Sequence, residues 1–276
     1  MKKKITLPDS DIKSLKEFFL PYKRIIIKVG SSLLINKDLL KIRNSWLNAL
    51  SEDISWLQTF KKEIIIVSSG AIALGRNSLG AENKNLNLEE NQAAASIGQI
   101  ELAYSWKAAL GKFNLKCAQI LLSPDDTETR RKHLNARATI AKLIESNIVP
   151  VINENDTITT SEIKFGDNDR LAARVAQMSS SDLLILLSDI DGLYDKNPHL
   201  SENAKHIPKV NEINDNILKM AGSSHYKFSS GGMITKLEAA KISSLSGCKM
   251  IICNGEKNHA ILELAKKRKY TIFEVQ

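Results

Sequence analysis

The sequence predicts an α/β chain, a three-layer α/β/α sandwich around a mainly parallel sheet, and three observations predict it. Short β-branched runs are almost continuously apolar rather than alternating, as expected of parallel strands covered on both faces. Longer stretches with apolar residues three and four apart separate those runs, which is the pattern of amphipathic helices in strand–helix–strand units with right-handed crossovers. No Pro/Gly/Ser-rich linker and no internal repeat divides the 276 residues.

The strands read in order as residues 24–29 (RIIIKV), 63–67 (EIIIV), 116–122 (KCAQILL), 148–152 (IVPVI), 183–187 (LLILL) and 250–253 (MIIC). Helical spacing covers 42–59, 89–110, 127–146, 170–179 and 236–246, and Asp125 and Asp126 stand where caps for the third of these belong. Residues 157–164 (TITTSEIK) break the pattern, with β-formers around a polar centre, and predict a hairpin or lid beyond a strand end.

Composition narrows the function classes. Apolar residues make up 43% of the chain, ample for a core, while aromatics are only 5%, too few for a base-stacking surface. The net charge of +8 gathers at Lys2–Lys4 and Lys266–Lys269 without interleaved aromatics. Solvated surface lysine accounts for it, and neither nucleic acid nor a membrane is an expected partner. Cys117, Cys248 and Cys253 have no metal-ligand or redox spacing and fit a reduced compartment. No apolar run spans a bilayer and no leader follows the first lysines, so a cytoplasmic location is expected.

In an open parallel sheet, ligands bind beyond the carboxyl ends of the strands. Four junctions there carry unusual residues. Lys28-Val29-Gly30-Ser31-Ser32 sets a cation beside backbone N–H groups, and Ser68-Ser69-Gly70-Ala71 opens a helix whose N-terminus suits an anion. Ser229-Ser230-Gly231-Gly232-Met233-Ile234-Thr235-Lys236 has the composition of a phosphate loop without its GxxxxGK[ST] spacing. Ser188-Asp189-Ile190-Asp191-Gly192 lacks the later ligands of a calcium loop. Each junction alone is also explained as a tight turn. More distinctive are Asn153-Glu154-Asn155-Asp156 and Gly166-Asp167-Asn168-Asp169, which flank the predicted lid.

Taken in order, IKVGSS, VSSGAIALG, PVINENDT, IKFGDND, LLSDIDGLYDKNP and GGMITKLEAA resemble the glutamate 5-kinase family of amino-acid kinases, over about residues 24–255. The resemblance implies the amino-acid kinase fold across 1–276 as a single domain, with an N-terminal substrate lobe and a C-terminal nucleotide lobe. It implies ATP and magnesium as cofactors, L-glutamate as substrate, and phosphorylation of its side-chain carboxylate as the first step of proline biosynthesis. Lys28 and Lys236 match the family's phosphate-binding lysines, and Asp169 the aspartate that organises them. Ser69, Asp156 and Asn168 match glutamate-binding positions. Ser188, Asp189 and the run Ser230, Gly231, Gly232, Met233, Ile234, Thr235 and Lys236 match nucleotide-binding segments, with serine at Ser188 and Ser230 where threonine is common. Proline as feedback inhibitor, coupling to glutamyl-phosphate reductase, and a homo-oligomer (dimer or tetramer) are further implications. Many similar bacterial proteins carry a C-terminal module of the PUA type, and this chain is expected to be the kinase domain alone. Relatives acting on aspartate, N-acetylglutamate or carbamate, and a silent regulatory protein on the same fold, are the competing readings.

Overall fold

The computed structural model describes residues 7–36, 38–81, 84–159, 168–198, 200–221 and 232–275. After α1 (Asp9–Phe19) come β1 (Arg24–Val29), a short α2 (Ser31–Leu34), and a hairpin of β2 (Ile35–Asn36) and β3 (Lys41–Ile42). Then α3 (Asn44–Thr59) leads to β4 (Glu63–Ser68), and α4 (Ala71–Ser78) with α5 (Leu88–Gly111) leads to β5 (Lys116–Leu122). Next, α6 (Pro124–Glu128) and α7 (Arg130–Glu145) precede β6 (Ile148–Glu154). Beyond it stand α8 (Asn168–Ser179), β7 (Leu183–Ser188), the hairpin of β8 (Leu193–Tyr194) and β9 (His206–Ile207), β10 (Lys209–Val210) and α9 (Asp215–Met220). The last elements are α10 (Met233–Leu245), β11 (Lys249–Asn254), α11 (Ala260–Lys267) and β12 (Thr271–Phe273).

One eight-stranded sheet runs β10-β12-β11-β7-β1-β4-β6-β5. Only the β11–β12 pair is antiparallel among these strands. Because side chains alternate across a strand, β1 sends Ile25, Ile27 and Val29 to one core and Ile26 to the other. The first core is closed by α1, α3, α5 and α11 through Phe19, Trp46, Leu102 and Ile261, and the second by α8 and α10 through Leu171 and Leu237. Lys28 shares the parity of Ile26. It therefore points toward the helices that carry Asn168, Asp169 and Lys236.

Differences from the sequence reading have physical causes. The helix expected at 127–146 breaks at Thr129, which is extended (φ −72°, ψ 115°), because Pro124 starts a separate one-turn helix. Its cap is Ser123, whose N–H and Oγ both donate to Asp126 at 2.7 Å. Asp125 instead accepts from Thr129 Oγ1 at 2.5 Å and pairs with Lys132 at 2.6 Å. Ile42 belongs to a hairpin strand rather than to the helix after it, and the helix expected from Lys236 begins three residues earlier at Met233. β5 is not covered on both faces: it ends the sheet, and Lys116 and Gln119 are exposed. Of the predicted lid, 157 and 158 lie in a turn and Thr159 is buried, while 160–164 lie outside the described residues. Among the described residues no helix is long and apolar enough to cross a membrane.

Candidate active site

β1 lies between β7 and β4, with Lys28 in register with Leu186 on one side and Val67 on the other. Their carboxyl ends therefore open together. Lys28 Nζ lies 2.5 Å from Asp169 Oδ1, and Lys236 Nζ donates to Asp169 Oδ2 at 3.0 Å. Thr235 Oγ1 approaches the same Oδ2 at 3.4 Å. Lys28, Asp169 and Lys236 are 5%, 0% and 6% exposed, so two cations from opposite ends of the sequence converge on one buried carboxylate. Removing such charges from water costs several kcal/mol each, which only close pairing offsets. Burial alone would raise the Asp169 pKa; Lys28 first and Lys236 second outweigh it and hold the carboxyl down at about 2. The aspartate is thus an anion at neutral pH with no capacity to serve as a base there.

The helices that deliver these groups are tied together. Arg170 Nε donates to Glu238 Oε2 at 2.6 Å, bridging α8 to α10 one residue from Asp169 and two from Lys236. Gly232 caps α10, and Met233, Ile234 and Thr235 form its first turn, with Ile234 exposed. Ser230 and Gly231 lie outside the described residues.

A second group forms the neighbouring wall. Asn168 Nδ2 donates to Ser68 O at 3.1 Å, Ser69 Oγ at 2.9 Å and Asn153 Oδ1 at 2.8 Å. Two hydrogens facing three acceptors commit this amide nitrogen to Ser68, Ser69 and Asn153. Ser69 Oγ accepts from Asn168, which leaves its own hydroxyl hydrogen to donate elsewhere. Gly70, which follows, adopts φ +119°, a left-handed turn; a Cβ there would sit 2.8 Å from Ile35 Cδ1. Asp156, half-buried, lies in the turn immediately beyond β6. Ser68 and Asn153 lie in segments that stand out in the sequence, whereas Gln99 and Trp106 do not. Asn153 belongs to the NEND cluster that drew attention, but nothing local marks a glutamine 54 residues earlier as its partner.

On the far side, Ser188 ends β7 with its Oγ donating to Asp189 Oδ1 at 3.1 Å, and its carbonyl accepting from Gly255 N–H at 2.7 Å. Asp191 is bound elsewhere: Tyr194 OH donates to it at 2.7 Å and Lys269 Nζ pairs with it at 2.5 Å. That pairing fixes the β8 turn. Burial pushes the thiols of Cys248 and Cys253 up to about 12, which leaves them unreactive.

Glutamate 5-kinase of Nitrobacter hamburgensis is 55% identical over 240 residues, covering 87% of this chain and 63% of the relative. That of Gluconobacter oxydans is 50% identical over 254 residues, covering 92% and 67%. The chain therefore spans about two thirds of the length of the curated relatives it matches. Solved structures share the fold at low identity. UMP kinase from Ureaplasma parvum aligns at TM-score 0.61 with 21% identity, over 91% of this chain and 96% of that one. An isopentenyl phosphate kinase of T. acidophilum aligns at TM-score 0.61 with 15% identity, over 91% and 100%. Residues 23–254, which hold every group described above from Lys28 to Lys236, match one family throughout: the chain belongs to the amino acid kinase family.

Proposed function

We propose that the chain is a glutamate 5-kinase, transferring the γ-phosphoryl group of ATP to the side-chain carboxylate of L-glutamate. The observation that carries this reading is the Lys28–Asp169–Lys236 cluster, in a chain about half identical to glutamate 5-kinases over nearly its whole length. The side-chain carboxyl of glutamate has a reference pKa of about 4.3 and is already ionised at neutral pH, so no general base is required. What opposes reaction is repulsion between a carboxylate and a polyphosphate, and alignment with charge neutralisation removes it.

A carboxylate oxygen attacks the γ-phosphorus, the bond to the β–γ bridging oxygen breaks, and ADP leaves with that electron pair. The product is an acyl phosphate, glutamyl 5-phosphate, and no proton moves. Lys28 and Lys236 neutralise the transferring oxygens from two sides, while Asp169 holds both lysines in place. Ser69 donates to a substrate carboxylate and Asp156 meets the α-ammonium, with Asn168 orienting Ser69. Ser188, Asp189 and the 230–236 segment take the nucleotide, giving a C-terminal nucleotide lobe beside an N-terminal substrate lobe. The donor set does not suit a resident metal: the one carboxylate at the centre is engaged by two lysines, and no group of three His, Cys, Asp or Glu stands together among the described residues. Magnesium would travel with the nucleotide phosphates, and no step is assigned to it.

The reading places the chain in the cytoplasm at the start of proline biosynthesis. It makes proline a feedback inhibitor, glutamyl-phosphate reductase the consumer of the product, and a homo-oligomer the working form. The test is ATP consumption with glutamate, aspartate or N-acetylglutamate, with hydroxylamine present to trap the acyl phosphate as hydroxamate. Hydroxamate formed with glutamate and not with the other two supports the reading; none with glutamate refutes it.

A further inference from the structure

We infer that Gln99 is a positioning residue that sets the hydrogen-bond polarity of the substrate wall through Asn153. This rests on the proposed glutamate site and deepens it. The wall contains two side-chain amides, and an amide turned by half a rotation exchanges its donor and acceptor ends. Two backbone groups bias that choice without fixing it alone. Glu154 N–H donates to Asn153 Oδ1 at 2.9 Å, which favours oxygen at that end of Asn153. The Ser68 carbonyl accepts from Asn168 at 3.1 Å, which favours nitrogen at that end of Asn168.

The remaining ends follow. With its oxygen shared by Glu154 and Asn168, Asn153 must offer Nδ2 to the third neighbour, and there Gln99 Oε1 accepts it at 2.8 Å. Asn153 is 3% exposed, so without that acceptor a buried amide hydrogen would be left unpaired. A donor in the place of Gln99 would instead press Asn153 to rotate against the Glu154 N–H. Rotation would turn an NH2 group toward the NH2 of Asn168, pushing Asn168 off Ser69 Oγ, the hydroxyl that faces the substrate carboxylate.

The backbone at Gln99 is held closely enough to do this. Gly98, just before it, packs its helix against the first turn after Ser69-Gly70, where an added Cβ would lie 1.9 Å from Ala71 O. α5, which carries Gln99, and α4, which follows Ser69-Gly70, therefore pack backbone against backbone. Behind Asn153 lies a cavity of about 20 Å³, lined by Gln99, Gln119 and Trp106 among others.

The experiment compares Gln99→Leu, Gln99→Glu and Gln99→Lys in the full chain, with KM for glutamate and for ATP and the melting temperature measured for each. Glutamate can still accept from Asn153, leucine cannot accept, and lysine can only donate. KM for glutamate should stay within about twofold of the parent in Gln99→Glu. It should rise about tenfold in Gln99→Leu, the usual cost of orphaning a buried donor, and further in Gln99→Lys, with KM for ATP unchanged. Equal effects of all three variants, a parallel rise in KM for ATP, or unchanged KM in Gln99→Leu would overturn the inference. A parent chain that turns over ATP without using glutamate would overturn the functional reading and this inference with it, an outcome visible before any variant is made. Should Gln99→Leu melt before the assay, Gln99→Glu against Gln99→Lys decides polarity alone.

Discussion

Lys28 and Asp169 stand 2.5 Å apart although 141 positions separate them, and both side chains are almost wholly buried. β1 supplies the cation because strand parity turns Lys28 to the face covered by α8, and α8 supplies the anion from its first turn. Lys236 completes the arrangement from α10.

Replacing either lysine by alanine should therefore abolish most turnover. Loss of one preorganised contact to the developing charge costs about 10²–10³ in kcat. Steady-state kinetics with thermal melts on Lys28→Ala and Lys236→Ala is the check. Near-parental kcat in both would refute the assignment.

Asp169→Asn should lower kcat without removing a basic limb from the pH–rate profile, because an already ionised substrate has no proton to give up. The same variant reports on stability. The folded pKa of about 2 lies below the ordinary 3.8, so the contribution of Asp169 is fully present above about pH 4 and is lost as pH falls through 2. Acid titration of melting temperature should show a shallower decline in the variant between those limits. A parental slope there would mean that the two lysines do not stabilise the ionised form.

Gly98→Ala should lower the melting temperature by at least about 5 °C, since a methyl group 1.9 Å from Ala71 O forces α4 and α5 apart. KM for glutamate should rise more than KM for ATP, because the displaced turn carries Ser69. A melt within one degree of the parent would show that the helices separate freely.

Proline should inhibit in competition with glutamate and not with ATP. It shares a carboxylate and a cationic amine with the substrate, and one Asp156 carboxylate cannot serve two ammonium groups at once. Initial rates at varied glutamate and fixed proline, in the parent and in Asp156→Ala, test this. Inhibition that glutamate cannot overcome would place the effector elsewhere.

The sequence determined the layered fold and the strand-end junctions, because both are written locally. Continuous apolar runs such as LLILL and IIIKV are legible as buried parallel strands, and Lys28, Ser69, Asp169 and Lys236 each follow or open a recognisable element. Their order resembles a known family closely enough to name the chemistry to expect. Only the tertiary structure decided which of these residues meet. Parity in β1 and the crossing of α8 with α10 put Lys28, Asp169 and Lys236 together, whereas Asp191, equally conspicuous in sequence, went to Lys269 and Tyr194. The direction of the Asn168 amide was likewise invisible, since it depends on a carbonyl 100 positions away in β4. Hydrogen-bond polarity is set by whichever backbone group lies opposite, and that neighbour exists only once the chain has folded.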